Sequence, residues 1–231
     1  MKSRIVIHDL VLKALGLLLI VAVVGNGPDL KKFRPVRPQQ SLKKDGEVLV
    51  GYLGNMNLQD GVDYLLEAGF EIVKKRGRSD VLFVLIGGGS QQQHLLQKTR
   101  EMDLQDKVRF TGRIPDDQML ATLCACDICI QPDPLNPLND KSTMNKGMEY
   151  MALEKPVVAF ALKETRVGCG NAALYARPSD VAGLADKILR LADNSVLRLR
   201  LGKRGRNRVK QELSWSCSVP NLLVAYEHAI K

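Results

Sequence analysis

The apolar positions of this chain fall into two rhythms that alternate along its length. Short runs at Val48–Leu53, Val81–Ile86 and residues 107–110, 127–130, 156–159 and 172–176 read as strands. Where such a run is apolar throughout, as at 81–86, the strand is covered on both faces. Between the runs the period lengthens. Val62, Leu65, Leu66, Gly69, Ile72 and Val73 mark a helix over 62–76. The glycine-rich turn 87–90 leads into another helix, to about residue 102. Asp116 caps the next, which runs to Ala125. Helices follow at about 143–153, 180–192, 195–212 and 216–230, with a loop at 162–170 holding Gly168 and Gly170. Strands alternating with helices imply right-handed βαβ units. The predicted fold is α/β: a doubly wound, parallel, six-stranded Rossmann-like domain over 47–231, with its ligand at the carboxyl ends of the strands. Residues 26–46 read as a linker, with Pro35 and Pro38 among basic residues and no apolar period.

The pattern turns on residues 133–160, DPLNPLNDKSTMNKGMEYMALEKPVVAF. A loop rich in proline, asparagine and aspartate feeds a short helix, which runs into a β-branched strand. The first amides of a helix have no partner within it, so this helix start is a candidate anion site. Thr143, Met144, Asn145 and Lys146 stand there, and Glu149 lies one turn on. That order suits a sugar nucleotide, with diphosphate on the amides and Lys146 and ribose hydroxyls on Glu149. Lys146 as a solvated helix residue and Glu149 as an exposed helix carboxylate are the alternatives.

The run STMNKGMEYMALEKPVVAF resembles the donor-site segment of glycosyltransferase family 4, the retaining enzymes of GT-B fold, in particular the branch that builds surface polysaccharides. The resemblance extends over about residues 26–231 and identifies the chain as a C-terminal donor-binding half. It implies that Glu149 holds ribose. It implies that Gly87 and Gly88 border the nucleotide, that Arg113 and Ile114 wall the base, and that Gly54 and Asn55 lie beside the diphosphate. Lys163, Glu164 and Thr165 match a loop beside the sugar. The chain departs from the family at three places. Lys141 stands where a first glutamate is usual, and Asn55 and Asp60 stand where arginine and lysine are usual. The implied activity is transfer of a sugar from a nucleotide-diphosphate donor to a saccharide or polyprenyl-linked acceptor. No metal or cofactor is expected, and no catalytic residue is assigned. The acceptor groove belongs to an N-terminal domain of which residues 1–25 read as a remnant, a helix and then a strand at 18–24. The basic start and apolar core of 1–24 also fit a signal peptide. The rival readings are a sugar-nucleotide 2-epimerase and a non-enzymatic or truncated interaction domain needing a separate acceptor half.

Composition narrows the choice. The apolar share of 45% supports a folded core, and a net charge of +9 argues for an acidic partner. Residues 195–210 carry seven lysines or arginines and no acid. They form either a solvated face or a patch against anionic lipid, and the chain is placed in the cytoplasm or at the inner face of the membrane. No aromatics interleave with these charges, which argues against nucleic acid. Gln92 replaces the third glycine of a dinucleotide fingerprint, so a dehydrogenase is disfavoured. Cys124, Cys126 and Cys129 are divided between a helix end and a strand, so they do not converge on zinc. His8, His94 and His228 are scattered and receive no catalytic role.

Overall fold

The computed structural model describes residues 24–229. The strands are β1 Val48–Leu53, β2 Val81–Ile86, β3 Val108–Gly112, β4 Ile128–Gln131, β5 Val157–Phe160 and β6 Ala173–Ala176. They form one sheet in the order β3-β2-β1-β4-β5-β6, and every pairing is parallel. The helices are α1 Val62–Phe70, α2 Gln92–Glu101, α3 Asp116–Ala125, α4 Asn145–Ala152, α5 Lys163–Cys169, α6 Val181–Ala192, α7 Ser195–Arg208 and α8 Trp215–Ala229. The doubly wound α/β fold expected from the alternation is the fold observed. The helix and strand expected before residue 25 lie outside the described residues.

Successive strand residues point to opposite faces, and both faces are covered. Val48, Val50 and Tyr52 of β1 join one core with Leu65 and Leu66 of α1, Leu95 of α2 and Leu184 and Ile188 of α6. Leu49 joins the other with Met119 and Leu123 of α3 and Tyr150 and Met151 of α4. Covering both faces is what makes β1 and β2 read as unbroken apolar runs.

Two local expectations are corrected. The 162–170 loop is largely helix α5. Its buried positions are Leu162, Thr165 and Cys169, a helical face on which only one residue is aliphatic, and the glycines mask it. Asp116 is the first residue of α3, not its cap. Pro115 holds the cap position without a side-chain bond, and Asp116 pairs with Lys32 at 2.8 Å. The linker docks against α3. Phe33 is buried in the second core, Val36 N–H donates to Cys124 Sγ, and Gln39 N–H donates to Ala121 O.

The basic run on α7 has a structural role. Arg198 donates to the carbonyls of Leu191 and Ala192 at the end of α6, each at 2.7 Å. Arg206 donates to Ala152 O at the end of α4 and pairs with Glu154. Arg208 donates to Val167 and Gly168 at the end of α5, and Arg204 to Asn171 O. Orphan carbonyls at helix C-termini favour cations. One helix thus supplies the caps of three others. Among the described residues no helix is long and apolar enough to cross a membrane.

Candidate functional site

The strand order reverses between β1 and β4: β2 and β3 lie on one side of β1, and β4, β5 and β6 on the other. In open parallel sheets a crevice opens at such a switch point, outside the carboxyl ends of the strands. The loops after β1, β2 and β3 are laced together there. Gly54 N–H donates to Ile86 O, Gly87 N–H to Gly112 O, and Met56 N–H to Gly88 O, all at 3.0 Å. Gly87 has φ +121, and a Cβ on it would lie 2.0 Å from Gly54 O, so only glycine allows this approach. Asn55 is exposed, and its carbonyl accepts from Tyr52 Oη at 2.5 Å. Arg113 is exposed and has no ion pair among the described residues, while Ile114 is half-buried against the second core.

Helix α4 closes the other side. Tyr150 is wholly buried. Its hydroxyl accepts from Leu53 N–H at 2.8 Å and contacts Leu53 O at 3.3 Å, tying α4 to the last residue of β1. A Cβ on Gly147 would lie 2.4 Å from Gln131 Oε1, so the first turn of α4 rests directly on the end of β4. Met144 precedes the helix in extended conformation and no side chain caps it. The amides of Asn145, Lys146 and Gly147 therefore carry the positive end of the helix dipole toward the crevice.

Lys146 is neither solvated nor free. It is 9% exposed, and its Nζ lies 2.5 Å from Asp133 Oδ1, 3.5 Å from Asp60 Oδ1 and 5.5 Å from the centre of the Tyr52 ring. Burial raises the carboxyl pKa of Asp133, and the attraction of Lys146 opposes the rise. Glu149 is half-buried, unlike the exposed helix carboxylate of the alternative reading. Burial also raises its pKa, against the pull of Lys32 and Lys146. The described residues offer its carboxylate no hydrogen bond or ion pair. Thr143 is exposed and its hydroxyl donates to Glu164 Oε2 at 3.2 Å. Lys163 pairs with Asp140 at 3.0 Å, and Lys141 is exposed. Thr165 turns inward and accepts from Gln131 Nε2 at 3.1 Å.

The fold therefore brings Gly54, Asn55, Gly87, Gly88, Lys146 and Glu149 to one edge, with Thr143, Met144 and Asn145 at the start of α4 and Arg113 and Ile114 at the end of β3. Sequence reasoning did not single out Asp133 or Tyr52, and read Asp60 only as a missing lysine. A signal for Asp133 was present: an acid between two prolines directly after an apolar strand. Four buried side-chain oxygens lack a protein partner among the described residues: Gln131 Oε1, Asp133 Oδ2, Asn139 Oδ1 and Asn145 Oδ1. All belong to the stretch from the last residue of β4 to the first of α4. The crevice is rich in acceptors, with one buried cation and one helix N-terminus. It can receive hydroxyl donors on its acids and an anion on its amides.

Comparison with known proteins places this arrangement. The chain is 29% identical to a D-inositol 3-phosphate glycosyltransferase of Frankia alni, over 91% of this chain and 53% of that protein. It is 27% identical to a 2-deoxystreptamine glucosyltransferase of Streptomyces kanamyceticus, over 82% of this chain and 48% of that protein. Among solved structures, a sucrose-phosphate synthase from Thermosynechococcus elongatus superposes with a TM-score of 0.78 at 25% identity, covering 91% of this chain and 52% of that one. The chain spans about half the length of these relatives. The family model described as glycosyl transferases group 1 matches residues 47–194, and the chain belongs to that family.

Proposed function

We propose that this chain is the donor-binding half of a retaining glycosyltransferase of family 4, from the branch that builds surface polysaccharides. Its donor is a nucleoside-diphosphate sugar seated at the β1–β4 switch point. The observation that carries this reading is Glu149: a half-buried carboxylate without a hydrogen bond or ion pair among the described residues, one turn inside an uncapped helix start. A carboxylate raised in energy by burial gains most from two hydroxyl donors, as a ribose presents. The diphosphate lies on the α4 amides and the Gly87–Gly88 turn, with Arg113 at the β3 end beside the base. Lys146 turns from Asp133 toward the leaving diphosphate. Asp133 and Asn139 accept from sugar hydroxyls.

In this reading the protein's chemical contribution is electrostatic. Amides, helix dipole and Lys146 stabilise the charge that develops on the leaving diphosphate, and no metal is needed. The acceptor, a saccharide or a polyprenyl-linked sugar at the inner membrane face, is held by an acceptor half beyond the part of the relatives matched here. The test is thermal shift with UDP, GDP and ADP at millimolar concentration. A ligand that binds only the native state adds RT ln(1 + [L]/Kd), so at least one nucleotide raises the melting temperature. No shift with any of them contradicts the reading.

A further inference from the structure

A second feature lies away from the switch point, on the outer edge of the sheet. Among the described residues β6 pairs only with β5 and forms that edge. Beside it runs an open groove of about 380 Å³, lined by Arg166, Arg190, Arg200 and Arg204 together with Asn171 and Tyr175. No acid lines it. Arg166 stacks on the Tyr175 ring, 4.7 Å from its centre, and Arg204 is held by Asn171 O at 3.2 Å. Arg190 and Arg200 are exposed and have neither ion pair nor hydrogen bond among the described residues. The contrast with Arg198, Arg206 and Arg208 matters, since those three are engaged by helix ends. Two positioned guanidinium groups and two unengaged ones around one concavity form a fork-like donor set that matches phosphate oxygens.

Helix α7, which lines one side of the groove, also exposes apolar side chains. Val196 is 74% exposed and Leu199 66%. They precede Arg200 by four residues and by one, and with Lys203 they share a stripe of α7 next to the lining positions Leu197, Arg200, Leu201 and Arg204. An apolar stripe beside unpaired arginines is the pattern of a segment lying at a bilayer surface, where arginines meet headgroup phosphates and aliphatic side chains enter the acyl boundary.

We propose that this groove binds a phosphate-bearing anion, and that its source is an anionic phospholipid headgroup. The proposal does not rest on the donor-site reading, because none of the residues assigned to the donor lines the groove.

The experiment uses the full chain and its Arg190→Gln/Arg200→Gln variant, with Lys44→Gln/Arg109→Gln as a control of equal charge change on exposed side chains elsewhere. Equal unfolding midpoints establish that all three fold alike. Each is floated with vesicles of phosphatidylcholine alone and with vesicles containing phosphatidylglycerol, and each is titrated with glycerol 1-phosphate. The proposal predicts binding to phosphatidylglycerol vesicles that weakens roughly tenfold or more in the groove variant and stays within about twofold in the control. Equal loss in both variants, or no loss in the groove variant, overturns it. Glycerol 1-phosphate binding that needs Arg190 and Arg200, with no vesicle binding by any form, upholds the phosphate site and overturns the lipid as its source.

Discussion

Lys146 Nζ lies 2.5 Å from Asp133 Oδ1, and both residues are buried, at 9% and 1% exposure. This pair brings the start of α4 against the loop after β4. Breaking a buried pair leaves one charge uncompensated, at a cost of ~3–5 kcal/mol. Lys146→Met is therefore expected to lower stability by about 3 kcal/mol. Adding Asp133→Asn removes the stranded charge, so the double variant recovers at least half of that loss. Urea unfolding of both variants checks this. A double variant as unstable as Lys146→Met alone contradicts the pairing.

The raised pKa of Glu149 has a stability signature. Its folded value lies above its unfolded one, so between the two the native state binds more protons than the unfolded state. Stability then falls as pH rises through that window, and stays lowered above it. Glu149→Gln removes this burden. The variant is expected to be more stable than wild type at pH 7, and its advantage vanishes below roughly pH 4, where both states of a glutamate are protonated. Urea midpoints at the two pH values decide the matter. No advantage at pH 7, or an advantage that persists in acid, means that burial does not strain this carboxylate.

The arginines of α7 separate capping from display. Arg198 donates two 2.7 Å bonds to the end of α6, whereas Arg200 has no hydrogen bond or ion pair among the described residues. Arg198→Ala should cost about 1–2 kcal/mol, as a lost charged hydrogen bond at a helix C-terminus does. Arg200→Ala should stay within ~0.5 kcal/mol, as surface changes do. Equal effects in denaturant unfolding contradict this division of roles.

How far the sequence discloses this protein depends on what each residue does. β1 and β2 are legible to the residue because each is apolar throughout, and both of their faces are covered. α5 is not, because its buried face mixes Leu162, Thr165 and Cys169, with Gly168 and Gly170 at its end. The helix start at Asn145 is legible from its polar loop. The surroundings of Lys146 are not: Asp60 meets it across 86 residues of chain, and only the register of β1 beside β4 makes them neighbours. The same holds for α7, where charge density is plain in the sequence but the carbonyls that claim four of its arginines are set by the packing of α4, α5 and α6. Glu149 is legible as a chemical group, yet its half-burial and the pull of Lys32 and Lys146 on it are set by tertiary packing, which no local pattern encodes.

The central claim is that Glu149 receives the ribose of a nucleotide donor, and isothermal titration calorimetry tests it most directly. Wild type, Glu149→Gln and Lys141→Gln are titrated with whichever of UDP, GDP and ADP gives the largest thermal shift. Glutamine keeps the shape and one acceptor but loses the charge. Charge-assisted hydrogen bonds are worth ~1.5–3 kcal/mol, so Glu149→Gln should weaken affinity by roughly ten- to a hundredfold. Lys141→Gln, at an exposed position outside the crevice wall, should change it by less than about threefold. Equal affinity in wild type and Glu149→Gln would contradict the account and leave Glu149 a carboxylate without a ligand.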